Sequence, residues 1–236
     1  MRSIARIAAP IVLMLACMAC ATAAQRHETR AVSGYNSVAL SAPINVELVQ
    51  GDAEGVVLDG EDAALADIET IVEDGSLKIR NKAYIDVPGM SKVVARVSVK
   101  TIDALSTRGS GDIRAAALKC KDLKISIAGS GDVRVAALAA DGLHVSIAGS
   151  GDMFVAGKVD TVSTSIAGSG DMRAGKLESR QSSVSIAGSG DAMLWAHEQI
   201  SVSIVGSGDV RYYGDPKVKS SVLGSGSVAR AGASPS

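Results

Sequence analysis

The chain has 236 residues, with 24 basic and 25 acidic side chains and a formal net charge of −1. This near-neutral balance argues against a nucleic acid or an anionic membrane surface as the partner, because both attract basic proteins. Aromatic residues make up only 3% of the chain while glycines number 25, a composition that favours a thin core in repeated layers over one thick core.

Residues 1–24 have the organisation of a secretory signal peptide. A basic start is followed by an apolar run over Ile7–Met18 and then by small residues. We expect cleavage after Ala23 or Ala24, with Ala21 as the alternative. The apolar run is short for a membrane span, and no later stretch is longer, so no membrane span is expected after cleavage.

Lipoprotein processing at Cys17 or Cys20 is the alternative fate of this segment. Neither cysteine follows the leucine, three residues earlier, that a bacterial lipobox usually carries, so we favour ordinary signal cleavage. Cleavage leaves Cys120 as the one cysteine, which excludes an internal disulfide even in an oxidising compartment. It also removes two arginines and no acidic residue, so the formal charge becomes −3.

Residues 25–107 lack a repeat and are predicted to form an irregular β-rich opening or cap region. Apolar alternation predicts strands at Ser37–Leu40, Ile44–Gln50, Val56–Leu58, Ile68–Val72, Leu77–Ile79 and Val93–Val99. We expect a helical turn at Glu61–Ala66 and a hairpin turn at Asp74-Gly75. A cap is expected because a bare end coil would be an open sheet edge.

Residues 108–230 contain a Gly-Ser-Gly-Asp repeat. Six copies begin at Gly109, Gly129, Gly149, Gly168, Gly188 and Gly206, and a seventh, Gly224–Ser227, ends in serine. Successive copies are 20, 20, 19, 20, 18 and 18 residues apart. An alternating apolar segment precedes each copy and resumes after it, which indicates two strands joined by a bend.

A unit of this length cannot bury its own apolar face, but stacked copies can. We therefore predict an all-β fold, a single-stranded parallel β-helix with 18–20 residues per coil. No six-residue period is present, so a right-handed coil is favoured over a left-handed one. The boundary with the opening region lies near Lys100–Thr107, and residues 231–236 are predicted to be a disordered tail.

The repeated aspartates are interpreted as a solvent-exposed structural ladder. Calcium-binding β-rolls need a repeat of about nine residues, a nucleophile elbow needs glycine two residues before its serine, and a phosphate loop needs a following helix. Two residues after the aspartate stands an arginine in four coils: Arg114, Arg134, Arg173 and Arg211. Phe154 and Met193 take that place in the other two coils. We expect these arginines to offset the repulsion between stacked aspartates and to form exposed ion pairs with them. The aspartates are also expected to accept backbone N–H groups at the bend.

The serines of the bends are expected to lie in register and to allow a hydroxyl ladder. These are Ser130, Ser150, Ser169, Ser189 and Ser207.

No catalytic, cofactor-binding or metal-binding residue is predicted. His27, His144 and His197 are scattered and none is spaced with another histidine or cysteine as a metal ligand. Cys120 is interpreted as a small apolar filler or an inert thiol. Trp195 and the pair Tyr212-Tyr213 are expected to pack at the last coils, with a lateral contact patch as the alternative.

Two stretches before the repeats resemble one bacterial family. Ser37–Gly51 reads SVALSAPINVELVQG, and Glu73–Ile79 reads EDGSLKI. With the serial Gly-Ser-Gly-Asp coils, they resemble the family described as "Putative auto-transporter adhesin, head GIN domain" over most of the chain after residue 24. The resemblance implies an exported β-solenoid of a Gram-negative bacterium, and it carries over no catalytic residue.

These observations predict a non-enzymatic exported envelope protein, a β-helical rod for adhesion or for binding a glycan or protein of the envelope. One alternative is a carbohydrate-active β-helix enzyme, such as a lyase, but no coil contains the insertion that would wall a cleft. Another is a periplasmic scaffolding or regulatory protein. Either the periplasm or the cell surface is expected, with no nucleic-acid partner and no cofactor. The lateral faces also allow a homo-oligomer.

Overall fold

The structure, a computed structural model, describes residues 25–82 and 87–235. Within these residues the chain forms a β-solenoid whose 18 strands belong to one hydrogen-bonded sheet. The prediction of an all-β parallel β-helix is confirmed. The expected signal peptide, its cleavage site and the alternative lipidation sites Cys17 and Cys20 lie outside the described residues.

Seven strands and one short helix build the first part. They are β1 (Gln25–Arg30), β2 (Ser37–Ser41), β3 (Asn45–Gln50), β4 (Gly55–Glu61), α1 (Asp62–Asp67), β5 (Ile68–Glu73), β6 (Ser76–Asn81) and β7 (Val94–Val99). Each strand predicted here occurs. The hairpin turn also occurs, with Asp74 at φ 51° and Gly75 at φ 73°, the two positive angles of a type I′ turn. A 3-10 turn at Met90–Lys92 was not predicted.

The order of these strands in space differs from their order along the chain. β2 lies parallel between β6 and a later strand, β8 (Ala104–Gly109). β3 lies likewise between β7 and β9 (Asp112–Ala115). The coil made by β2 and β3 is therefore inserted between two coils that come later in the sequence.

Antiparallel strands and the helix cover this end of the solenoid. β4 pairs antiparallel with both β1 and β7, and β5 pairs antiparallel with β6. The helix α1 buries Ala64 and Leu65 against the core. Tyr35 fastens two segments, because its hydroxyl donates to the Ser98 carbonyl at 2.7 Å and accepts from the Gly55 N–H at 3.1 Å.

The repeated coils follow without interruption. Their strands are β10 (Leu118–Lys119), β11 (Asp122–Gly129), β12 (Val133–Gly149), β13 (Met153–Gly168), β14 (Met172–Gly188), β15 (Ala192–Gly206), β16 (Val210–Tyr213), β17 (Lys217–Gly224) and β18 (Val228–Gly232). β8 spans the predicted boundary at residues 107 and 108. β18 extends two residues into the predicted tail, and residues 233–235 follow without regular structure.

Equivalent positions of successive coils stack in register. Ile127, Ile147 and Ile166 are paired Cα for Cα in neighbouring parallel strands, and the column continues through Ile186 and Ile204. Each of these side chains is 1% exposed. On this first side of the coil, nine parallel strands stack within the described residues, a height of roughly 38 Å at the usual strand spacing.

The bend after each first strand is held by its backbone. The N–H groups of Ser150 and Gly151 both donate to the carbonyl of Gly129 in the preceding coil, at 2.9 and 3.0 Å. The same pair of bonds recurs in the neighbouring coils. The repeat thus produces one corner of the solenoid, which separates a first side (the strand before the bend) from a second side (the strand after it).

Candidate functional site

The aspartates of the bends form a hydrogen-bonded ladder. The N–H of Asp152 donates to Oδ1 of Asp132 at 2.9 Å, and the N–H of Asp171 donates to Oδ1 of Asp152 at 3.0 Å. Equivalent bonds join Asp112 to Asp132, Asp171 to Asp191, Asp191 to Asp209 and Asp209 to Ser227. The structural interpretation of the aspartates is therefore confirmed, since each carboxylate ties one coil to the next.

The arginine column does only part of what was predicted. Arg114 pairs with Asp112 at 2.8 Å, and Arg173 lies 3.4 Å from Asp171 and 3.6 Å from Asp152. Arg134 and Arg211 make no ion pair within the described residues, so the prediction was wrong for these two. The bends do not require these two ion pairs, because the aspartates already accept hydrogen bonds from backbone N–H groups.

The serine hydroxyls of the bends do not form the expected ladder. In the described chain the side chains of Ser130, Ser150, Ser169, Ser189 and Ser207 have no hydrogen-bond partner. Their backbone N–H groups hold the bend instead.

Phe154 replaces an arginine in this column and is stacked between two others. The Cζ atom of Arg134 lies 4.3 Å from the ring centroid, and that of Arg173 lies 4.8 Å from it. Because the two arginines belong to the coils before and after Phe154, they approach opposite sides of the ring. Such cation–π contacts contribute about 0.5–1 kcal/mol each at exposed sites.

A groove of about 580 Å³ runs beside this stack, between the second side of the solenoid and the third side, which is the stretch of each coil that leads from the second side back to the next first side. Its volume falls within the ~300–1,000 Å³ range of small-molecule sites. Three cations and three large apolar or aromatic side chains line it: Arg134, Arg173, Lys176, Phe154, Met193 and Tyr213. None of the described residues that line this groove is acidic. Val135 and Val155, 1% and 3% exposed, form its floor.

Gly175 makes room for two large side chains at the apolar end of the groove. A Cβ atom on this residue would lie 2.9 Å from the sulfur of Met193 and 3.3 Å from Cε2 of Tyr213. Met193 and Tyr213 therefore pack where a side chain of residue 175 would otherwise project. Pro235 lines the groove as well.

The first side of the solenoid presents a second surface, the serine face. Its middle column is made by Ser126, Ser146, Ser165, Ser185, Ser203 and Ser221, which are all exposed. One flanking column contains Lys124, His144, Ser163, Ser183, Ser201 and Lys219, and the other contains Ala128, Ala148, Ala167, Ala187, Val205 and Leu223. No hydroxyl of the middle column bonds to another group of the described chain.

The histidines do not converge on one site. His27 contacts the buried carboxylate of Asp59, which also binds Arg96. Nε2 of His197 lies 3.0 Å from Oε1 of Glu178, and His144 is exposed on the serine face. The described residues contain no group of three or more histidine, cysteine or acidic side chains placed to hold a metal ion.

Cys120 is partly buried against the core. Burial raises the pKa of its thiol, and the nearby carboxylates of Asp103, Asp122 and Asp141 raise it further. The thiol form is therefore favoured, which supports its interpretation as an unreactive filler.

Sequence patterns identified only part of the groove. Phe154 was visible as an exception in the arginine column, and it is the one phenylalanine of the chain. Tyr213 was expected at the last coils, where one alternative was a lateral contact patch. Lys176 and Gly175 carried no signal, because they lie on the third side, where the coils vary in length and register.

These surfaces define a β-solenoid with exposed lateral faces. The chain belongs to the family described as "Putative auto-transporter adhesin, head GIN domain", whose sequence model matches residues 34–216. The resemblance seen in the sequence is thus confirmed.

Solved structures of bacterial proteins share this fold. A putative adhesin of Bacteroides fragilis is 24% identical, with a TM-score of 0.84 over 88% of this chain and 97% of its own. A putative lipid binding protein of Parabacteroides distasonis is 26% identical, with a TM-score of 0.74 over 87% of this chain and 96% of its own. A putative adhesin of the same species is 23% identical, with a TM-score of 0.70 over 89% and 98%.

A search of the curated proteins finds no match to this chain. Among the helices of the described residues, none has the length and apolar character needed to cross a membrane.

Proposed function

We propose that this chain is a non-enzymatic exported protein of the cell envelope that binds a neutral glycan through its serine face. The observation that carries the proposal is the continuous column of exposed hydroxyls, one per coil, with no partner in the described chain. The family name, which refers to adhesion, supports the same class of function.

The geometry of the serine face suits an extended polar polymer. Neighbouring serines of the middle column are about 4.8 Å apart across coils, and outward side chains along one strand are about 6.6 Å apart. A serine hydroxyl both donates and accepts, as a sugar hydroxyl does. A flat lattice of such groups can therefore bond a chain of sugars along its length.

The charges on this face favour a neutral ligand. Between Lys124 and Lys219 the face carries no acidic side chain, and only His144 is titratable among the intervening members of the three columns. An anionic polymer would need cations along the middle coils, where Ser163, Ser183 and Ser201 stand instead. Short serine side chains also lose little rotamer freedom when they bind.

A lyase-like enzyme has less support. Such an enzyme needs a walled cleft with a general base or a metal site. The coils described here follow one another at 18–20 residues without an inserted loop. The groove on the other side of the rod is lined by arginine, lysine and apolar residues.

Binding to purified cell-wall and surface polysaccharides tests the proposal. The triple variant Ser146→Arg, Ser165→Arg and Ser185→Arg places bulky cations in the middle column and should abolish retention on the polysaccharide. The matched control, Ser150→Arg, Ser169→Arg and Ser189→Arg, changes exposed serines of the same coils at the bend and should bind normally. Equal binding by both variants would refute the role of the serine face, and light scattering shows whether either variant changes a homo-oligomer.

Protease treatment of intact cells tests the location. Loss of the protein from intact cells places it at the surface and supports adhesion. Loss only after lysis places it inside the outer membrane, and adhesion is then replaced by periplasmic binding or scaffolding.

A further inference from the structure

We propose that the groove is a second binding site, for a single anionic amphiphile. The anionic group would bind near Arg134 and Arg173, and the apolar chain would lie over Met193 and Tyr213. The inference is independent of glycan binding, because the groove lies between the second and third sides and shares no residue with the serine face.

The groove offers three cations, two of which have no ion pair within the described residues. Arg134 contacts no carboxylate within the described residues, and Lys176 makes no ion pair there. Arg173 reaches Asp171 and Asp152 only at 3.4 and 3.6 Å. Since no acidic side chain is among the described residues that line the groove, the charged side chains that a bound anion meets there are all cations.

Stacking on Phe154 orients the guanidinium groups of Arg134 and Arg173 for binding an anion. The ring packs against both cations, 4.3 and 4.8 Å from its centroid, and so restricts their side chains before any ligand arrives. A guanidinium stacked through its face keeps its N–H groups available at its edge, where a carboxylate or phosphate can accept two of them. Less side-chain entropy is then lost on binding.

The other end of the groove is apolar. Met193 and Tyr213 pack against the bare backbone of Gly175, and Pro235 borders them. Methionine adapts its shape to different alkyl chains because its thioether side chain is flexible. The buried side chain of Val155 continues the apolar floor toward the cations.

The two ends follow one another along the rod. The lining residues Arg134, Phe154, Arg173, Met193 and Tyr213 come from five successive coils, a length of roughly 19 Å at the usual strand spacing. A free inorganic anion would use only the cationic end, and a neutral apolar molecule only the other. A molecule with a charged head and an alkyl chain uses both.

Calorimetric titration with dodecanoate is the direct test, with every probe kept below its micelle concentration. We expect one dodecanoate to bind per chain. Inorganic phosphate, which lacks the chain, dodecyltrimethylammonium, which reverses the charge, and dodecyl maltoside, which is neutral, should each bind at least about tenfold more weakly. Equal affinity for the cationic or the neutral amphiphile would overturn the proposal.

Two pairs of substitutions separate the groove from general charge effects. Arg134→Gln with Arg173→Gln should weaken dodecanoate binding by about tenfold or more. Arg114→Gln with Arg211→Gln removes the same charge from the same column outside the groove, and it should leave the affinity within about twofold. Equal losses in both pairs would refute binding in the groove.

A variant at the apolar end provides a further check. Gly175→Met introduces a side chain that must displace Met193 and Tyr213, and it should weaken dodecanoate binding, with circular dichroism confirming the fold. Unchanged affinity in a folded Gly175→Met protein contradicts the proposed position of the chain.

A bilayer of anionic lipids also combines negative headgroups with alkyl chains. Binding to vesicles is therefore measured separately from binding to dodecanoate. We expect the protein to remain in solution with vesicles of phosphatidylcholine and phosphatidylglycerol while it binds dodecanoate. Sedimentation with these anionic vesicles, without binding of the monomer, would show recognition of a membrane surface and overturn the proposal.

Discussion

At the scale of single residues, the two glycines of each bend are required by backbone geometry. Gly149 has φ 128°, an angle that L side chains rarely adopt, and a Cβ there would lie 2.4 Å from the carbonyl oxygen of Gly129. Gly151 has no such angle, but a Cβ on it would lie 2.2 Å from the carbonyl oxygen of Gly131. Both positions exclude a side chain because the neighbouring coil occupies its space.

Gly149→Ala should therefore destabilise the solenoid strongly. We expect the free energy of unfolding to fall by more than about 2 kcal/mol, because the strained angle and the clash add together. Urea denaturation measures the change. Ser150→Ala in the same bend is the control and should change stability by less than about 0.5 kcal/mol. A mild effect of Gly149→Ala would mean that the coils can move apart at the corner.

At the scale of elements, the bend ladder turns a source of repulsion into a connection. Stacked carboxylates repel one another, but each of them accepts the N–H of the next aspartate at 2.8–3.0 Å. In the last repeat Ser227 takes the aspartate's place, and both its N–H and its hydroxyl donate to Asp209. What each aspartate supplies is an acceptor oxygen for the backbone of the next coil.

Substitutions of Asp152 separate the acceptor from the charge. Asp152→Ala leaves the N–H of Asp171 without its partner and should lower the free energy of unfolding by about 1 kcal/mol. Asp152→Asn keeps a carbonyl oxygen and loses only an exposed ion pair with Arg173, so stability should change by less than about 0.5 kcal/mol. Denaturation in urea at low and high salt checks both. A loss in the asparagine variant equal to that in the alanine variant would show that the charge itself matters.

At the scale of elements, local sequence patterns predicted the strands and the bends. They did not predict which side chains near the bends contact one another. Period-two alternation indicated the strands because one face of each is buried. Arg134 was expected to face aspartates and stacks on Phe154 instead. The contact that Arg134 makes depends on which residue lies beside it in the adjacent coil. It therefore depends on the register between coils that are about 20 residues apart in the chain.

At the scale of the whole molecule, the two ends of the described solenoid differ. The first coils are covered by β1, β4, β5 and α1. All eight residues of β17 are exposed, including Val218 and Val222 at 38% and 40%, although they continue columns that are buried in earlier coils. Stability should therefore be unevenly distributed along the rod, because each coil gains from its neighbours.

Native-state hydrogen exchange measures this gradient. Amides of β17 and β18 should exchange fastest, since within the described residues a neighbouring coil covers these strands on one side only. The central strands β12, β13 and β14 should be the most protected. Uniform protection across all coils would contradict the prediction and indicate one cooperative unit. Addition of dodecanoate should leave β17 unprotected, because that strand does not line the groove.

The sequence by itself determined the coil, its bend and the strands that flank it, because a short repeat with alternating apolar residues can bury its surface only by stacking on copies of itself. It also determined that glycine must occupy the bend. Only the tertiary structure decided that the coil of β2 and β3 lies between two later coils, and that Arg134, Phe154, Arg173 and Gly175 meet in one groove. These contacts join residues far apart in the chain, and their geometry depends on how the coils are aligned across the third side, where the repeat is irregular.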